Sequence, residues 1–136
     1  MQGRKVEATT DAAEVFRTAV KVAGVKEGFF VLPLDANGTV LCEPVMVSMG
    51  YEEGTTAVNP KDVFVAAFKA GADAIIVAHN HPSGDPTPSK ADYDATVRLN
   101  DGANLVGLEL IDHLIIGSAD SASGFGFVSM AELLAE

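Results

Sequence analysis

Tryptophan is absent from this chain, cysteine occurs once, as Cys42, and histidine three times. A single thiol excludes an intrachain disulfide and a cysteine-built zinc site, so a metal site here has to be assembled from histidine and carboxylates. One free thiol is also compatible with a reducing compartment, and a cytoplasmic location is expected. Positive charge is scarce: nine Lys and Arg stand against nineteen Asp and Glu, a formal net charge of −10. Duplex DNA is held mainly through its phosphates by a basic face, so direct duplex binding is disfavoured. No apolar run approaches the ~20 residues of a membrane-spanning helix. No apolar stretch follows the Met1–Glu7 opening, so neither a membrane partner nor a secretory signal is expected from these residues. There is no internal repeat.

What is present suits one folded unit. The chain has 136 residues, 48% of them hydrophobic and 21% charged. At that size a fold buries roughly two thirds of the surface its unfolded chain exposes, and residues 1–136 are expected to form a single domain. Between Asp11 and Ala23 the residues Ala12, Val15, Phe16, Ala19, Val20 and Ala23 recur at helical spacing, and Gly24 marks the end. Two apolar runs, Phe29–Leu34 and Thr39–Val47, flank Asp35-Ala36-Asn37-Gly38, whose Asn-Gly step predicts a hairpin. Tyr51–Val58 reads as a loop or a short edge strand. Asn59 followed by Pro60 predicts a capped helix start, with Val63, Phe64, Ala67 and Phe68 on its buried face and Gly71 beyond its end.

Ala74–Ala78 is continuously apolar, the pattern of a central strand covered on both faces. A proline-rich loop follows, then a helix from Ser89 to about Asp101. Leu108–Ile116 is expected as a strand bent near Asp112-His113, and Gly117–Gly126 as a Gly/Ser-rich loop. A short extended Gly126–Val128 comes next, and Ser129-Met130-Ala131-Glu132 reads as a capping box opening a last helix. Helices alternating with strands point to an α/β fold with three layers, α/β/α, around one mixed sheet.

The chemistry concentrates at the end of the central strand. His79 and His81 are two residues apart, so on a strand both imidazoles leave the same face. Asp92 falls in the first turn of the next helix, and the intervening loop is stiffened by Pro82, Pro86 and Pro88. Two histidines and one carboxylate form an ordinary protein ligand set for catalytic zinc, with the fourth position left open. Each feature also has a plain structural reading: two polar residues at a strand end, and a Ser89-x-x-Asp92 capping box. The readings are compatible, because Ser89 can cap while Asp92 faces a metal.

His79-x-His81, seven residues, Ser89, two residues and Asp92 together resemble the JAMM (MPN+) metalloprotease signature. The text His79-Asn80-His81-Pro82-Ser83-Gly84-Asp85-Pro86-Thr87-Pro88-Ser89 resembles the RadC branch of that superfamily. Asn59–Phe64 before it and Asp112–Gly117 after it agree, and the likeness runs over about residues 10–134. The resemblance implies a cytidine-deaminase-like (JAMM/MPN) fold and a Zn2+ ion on His79, His81 and Asp92. It implies a zinc-dependent hydrolase that activates water against a peptide or isopeptide bond in a peptide or protein substrate. The family also requires a glutamate on the first strand as general base, for which Glu27 is preferred and Glu43, read as lying on the second strand, is the alternative. Ser89 would stabilise the oxyanion or orient the water.

Deaminases complete their site with a Cys-containing motif, which one cysteine cannot supply. His113 reads as a core residue or a support for the site, with Asp112 beside it placed to orient a ring. Ser83 and Asp85 read as shaping substrate entry, and the loops Gly50–Val58 and Gly117–Gly126 as setting specificity. Full-length RadC proteins carry a helix-hairpin-helix-like N-terminal region that this chain does not contain, so DNA contact attributed to it is not carried over. A non-catalytic, metal-stabilised binding or scaffold module is the competing class, and a DNA-repair accessory role rests on the family name alone. Apolar edge strands leave room for a homodimer.

Overall fold

The computed structural model describes residues 3–7, 9–24, 27–50, 58–117 and 126–135. The expectations for Tyr51–Ala57 and for the Gly/Ser-rich residues 118–125 lie outside them. The elements in chain order are α1 (Thr9–Ala23), β1 (Glu27–Leu34), β2 (Val45–Gly50), α2 (Pro60–Lys69), β3 (Ala74–Asn80), α3 (Lys90–Val106), β4 (Glu109–Ile116), β5 (Phe127–Ser129) and α4 (Met130–Leu134). Five strands form one sheet in the order β2-β1-β3-β4-β5. Only β3 and β4 run parallel; the other neighbours are antiparallel. The sheet is therefore mixed, as expected.

Alternation along the strands splits the core in two. Phe30, Leu32, Leu34, Ile76, Ala78, Leu114 and Ile116 pack with Ala12, Val15 and Phe16 of α1. Phe29, Val31, Ile75 and Val77 pack on the other face against Val63 and Ala67 of α2 and Leu99 and Ala103 of α3. Burying both faces of β1 and β3 requires the continuous apolar runs seen there, and every residue of both strands is buried. The three-layer α/β/α architecture is thus carried by the period-two pattern of the strands and the helical stripes that cover them.

The helix boundaries follow local chemistry. Asn59 caps α2 by accepting from the Lys61 N–H, with Pro60 at the first position. α3 runs five residues beyond the expected Asp101, through Gly102, and stops at Gly107, whose φ of 81° is the left-handed cap conformation. Its buried stripe Asp92, Thr96, Leu99 and Ala103 continues past the glycine. A Cβ at Gly102 would press on the Phe64 ring of α2, so the glycine marks a close approach between helices and not a helix end.

The hairpin is the main departure. Asp35–Gly38 does form the turn, with Asp35 N–H bonded to the Thr39 carbonyl and Leu34 bridged to Val40. The chain then leaves the ladder, and pairing with β1 resumes only at Val45, opposite Val31. Between those points β1 advances three residues while its partner advances five. Two features favour the detour: Thr39 and Val40 are taken up by backbone pairing with Gly3–Val6, and Pro44 has no N–H to give a ladder. The second strand is therefore Val45–Gly50 and not Thr39–Val47, and Glu43 sits exposed in the bend before it.

Candidate metal centre

β3 runs on past Ala78 to Asn80, which carries His79 into the sheet at 5% exposure. Phe29 lies opposite His79 on β1, and its ring stacks on the imidazole with 5.7 Å between centroids. His81 N–H bonds to the Ile116 carbonyl, extending the parallel ladder by one residue. Both imidazoles leave the face covered by α3, as the spacing predicts. The proline-rich loop then turns sharply: Gly84 N–H bonds back to the His81 carbonyl, and Gly84 has φ 85°. Asp85 accepts from the Thr87 N–H and hydroxyl, which hold its carboxyl below the usual range and stiffen the loop. Its contribution to the site is its backbone carbonyl, 2.9 Å from His81 Nδ1.

The loop delivers the chain to a complete capping box. Ser89 Oγ accepts from the Asp92 N–H at 3.2 Å, and Asp92 Oδ2 accepts from the Ser89 N–H at 2.8 Å. The same carboxylate faces the histidines, with Oδ1 2.9 Å from His79 Nε2 and Oδ2 3.1 Å from His81 Nε2. The two Nε2 atoms are 3.2 Å apart. Capping and convergence on a common point are therefore one arrangement. Burial works against the Asp92 charge, but the adjoining His79 and His81 rings and the hydrogen bond from the Ser89 N–H outweigh it and keep the carboxyl well below its ordinary range. The neighbouring Asp92 carboxylate raises His81.

This donor set fits a divalent ion. One ligand atom from each residue lies within 4.8 Å of the others. Tetrahedral bonds of about 2.0–2.1 Å place ligand atoms about 3.3 Å apart, close to the separations here. A carbonyl can only accept, so His81 donates its Nδ1–H to Asp85, and in the neutral ring that leaves a bare Nε2 toward Asp92. Two imidazole nitrogens and a buried carboxylate directed at one point are the partners a cation requires.

Beside the triad lies an open cavity of about 360 Å³, lined by Glu27, Phe29, His79, Asp92, Arg98 and His113 among others. Glu27 is the first residue of β1 and is 6% exposed. Its neighbour Gly28 donates its N–H to Asn80 Oδ1 at 2.8 Å, fixing the end of β1 against the strand that carries the histidines. Glu43 lines a different pocket, with Val15, Ala19 and Phe30 against α1. Ser89 is exposed at the start of α3.

His113 is 1% exposed, and its Nε2 is 2.9 Å from His79 Nδ1. It is thus both a core residue and a neighbour of the triad. Burial, with His79 alongside, pushes it down to about 3. Asp112 does not orient a ring, contrary to expectation. Its carboxylate accepts from the His113 and Ala131 backbone N–H groups and from the Ser129 hydroxyl. It thereby satisfies the Ala131 N–H in the first turn of α4, while Ser129 caps by accepting from the Glu132 N–H.

Three contributors were not singled out from sequence. Asn80 stands inside the motif, Thr96 lies one helical turn beyond Asp92, and Arg98 is among the residues lining the cavity. The i+4 spacing of Thr96 on the Asp92 face was a readable signal; nothing local distinguishes Arg98 from any exposed cation.

A family model described as RadC-like JAB domain matches residues 6–133. Among curated proteins, a UPF0758 protein of Staphylococcus haemolyticus is 38% identical over 122 residues, covering 88% of this chain and 51% of the relative. One of Staphylococcus carnosus is 42% identical over 115 residues, covering 85% and 50%. The UPF0758 protein YsxA of Bacillus subtilis is 49% identical over 78 residues, covering 57% and 31%. The chain spans about half the length of the two staphylococcal relatives. Those names state no activity.

Proposed function

The chain belongs to the RadC-like JAB domain family, and from that premise we propose that it is a zinc-dependent hydrolase of the JAMM type, cleaving a peptide or isopeptide bond in a peptide or protein substrate. The carrying observation is the convergence of His79 Nε2, His81 Nε2 and the Asp92 carboxylate on one point beside an open cavity. His79, His81 and Asp92 would hold the ion. Zinc in such a site supplies Lewis acidity and lowers the pKa of a water it binds to about 7.

The chain's own groups do the rest. Glu27, buried in the cavity wall, takes the proton released as water attacks the carbonyl and passes it to the leaving amine. Glu43 is set aside because it lines the pocket against α1. Ser89 Oγ uses a lone pair to cap α3, which leaves its O–H free to donate to the developing oxyanion. Arg98 contributes positive charge to the wall, suited to a carboxylate on the substrate.

Metal analysis tests the site: the native protein is expected to carry one zinc, and His79→Ala, His81→Ala and Asp92→Ala to lose it. Retention in all three removes the assignment. Against a library of peptide and ubiquitin-like fusions, Glu27→Gln is expected to keep zinc and lose cleavage; undiminished cleavage moves the base elsewhere. Zinc binding with no hydrolysis of any substrate favours a module that keeps its ion for stability.

A further inference from the structure

A hydrogen-bonded chain runs behind His79 and returns to the residue that faces it. Thr96 Oγ1 donates to the Asp92 carbonyl one helical turn back, at 2.8 Å. The same oxygen is 2.6 Å from His113 Nδ1, and His113 Nε2 is 2.9 Å from His79 Nδ1. A hydroxyl has one hydrogen, and here the carbonyl takes it, so toward His113 the threonine can only accept. His113 Nδ1 must therefore carry the N–H. The ring is 1% exposed and the neighbouring Asp112 carboxylate is bonded elsewhere, so a second, charging proton would be buried without a direct counter-ion. Neutral His113 then presents a bare Nε2, which accepts from His79 Nδ1–H. A neutral His79 so arranged has its remaining lone pair on Nε2, the atom that faces Asp92 and His81.

We propose that Thr96 and His113 are positioning residues that lock His79 in the Nδ1–H tautomer, so that its Nε2 is available to a metal ion. The inference rests on the metal reading above and assigns a purpose to two buried polar side chains on α3 and β4. Asp92 serves at both ends: its carboxylate faces the ion position and its carbonyl sets the polarity of the relay. Phe29 packs against both rings, with centroids 5.7 Å from His79 and 5.5 Å from His113, and limits their rotation. His81 obtains the same tautomer by another route, from the Asp85 carbonyl.

Thr96→Val keeps the side-chain shape and removes the oxygen. His113 is then free to bare Nδ1 and turn Nε2–H on His79, which would place a proton on the atom the ion needs. Zinc affinity, measured by competition with a chromophoric chelator, is expected to fall about 10–100-fold in Thr96→Val. Thr96→Ser should stay within a few-fold of the native value. Long-range 1H–15N correlation spectra of the zinc-free native protein are expected to show the His79 proton on Nδ1, a readout that a purely structural threonine would not determine.

Native-like affinity in Thr96→Val, or a His79 proton on Nε2 in the native protein, overturns the relay. The spectra keep the test decisive even if Thr96→Val does not fold. A native protein that binds no zinc overturns the metal reading itself, whereas unchanged affinity in Thr96→Val beside normal native binding overturns the relay alone.

Discussion

Ser89 and Asp92 show how one pair of side chains can start a helix and face a site. The hydroxyl caps the Asp92 N–H while the carboxylate caps the Ser89 N–H and faces both imidazoles. Ser89→Ala is therefore expected to cost about 0.5–2 kcal/mol of stability through the lost cap and, on its proposed role as oxyanion donor, turnover on the order of 10²–10³. Zinc stoichiometry should be unchanged; denaturant melts and metal analysis separate the two losses.

His113 has its own signature in pH. An unfolded imidazole gains a proton as pH falls below about 6.5, whereas buried His113 stays neutral until about 3. The unfolded state binds more protons in that window, so the zinc-free protein is expected to lose stability on acidification, by at most about 1.4 kcal/mol per pH unit from this residue. His81, raised by Asp92, has the opposite sense: its contribution is complete below the unfolded value and is lost as pH rises through the folded one. Asp92, held low, contributes above the usual carboxylate range and loses that contribution below it. Denaturation at pH 7 and pH 5 reads the His113 slope, which His113→Gln should flatten.

Between elements, single residues of register decide which side chains meet. Along β3 and β4 the partners run Ile75–Leu110 and then Ile76–Asp112, passing over Ile111. That slip reverses the alternation of β4, so Leu110 and His113 face the same helical layer. Without it His113 would face α1, away from His79. The loop that holds His81 depends on a comparable fit. A Cβ on Gly117 would run into the Gly84 carbonyl oxygen and the Pro86 ring, at the turn whose Asp85 carbonyl holds His81. Gly117→Ala is expected to displace that turn, loosen His81 and weaken zinc binding about 10–100-fold, the range for removing a partner of a metal-bound histidine. Chelator competition measures the loss, and native-like affinity would show that the loop moves without the ring.

Across the molecule, β3 places the histidines, α3 the aspartate, β1 the glutamate and β4 the supporting imidazole, so folding and assembly of the site are one event. An ion that binds only the folded state stabilises it by mass action. At free zinc about 100-fold above its dissociation constant the gain is about 2.7 kcal/mol. Thermal melts with and without chelator should show that increment in the native protein and none in His79→Ala. A net charge of −10 works against contacts to a phosphate backbone. Titration with DNA at two salt concentrations is expected to show no strongly salt-dependent binding. Among the described residues, no helix is long and apolar enough to cross a membrane.

Periodicity and local chemistry accounted for the α/β class, the buried central strand, the caps at Asn59 and Ser89, and the spacing that brings His79, His81 and Asp92 together. These were readable because each depends on neighbours a few residues apart: a period of two along a strand, a period of 3.6 along a helix, or a side chain bonding its own turn. The bend expected near Asp112-His113 is met by the slip at Ile111, but the reversal of faces that the slip produces, the detour before Val45 and the partnership of His113 with Thr96 were not readable in that way. They depend on which distant strand lies alongside and in what register, and a one-residue shift that leaves every local propensity unchanged sends a side chain to the opposite face of the sheet.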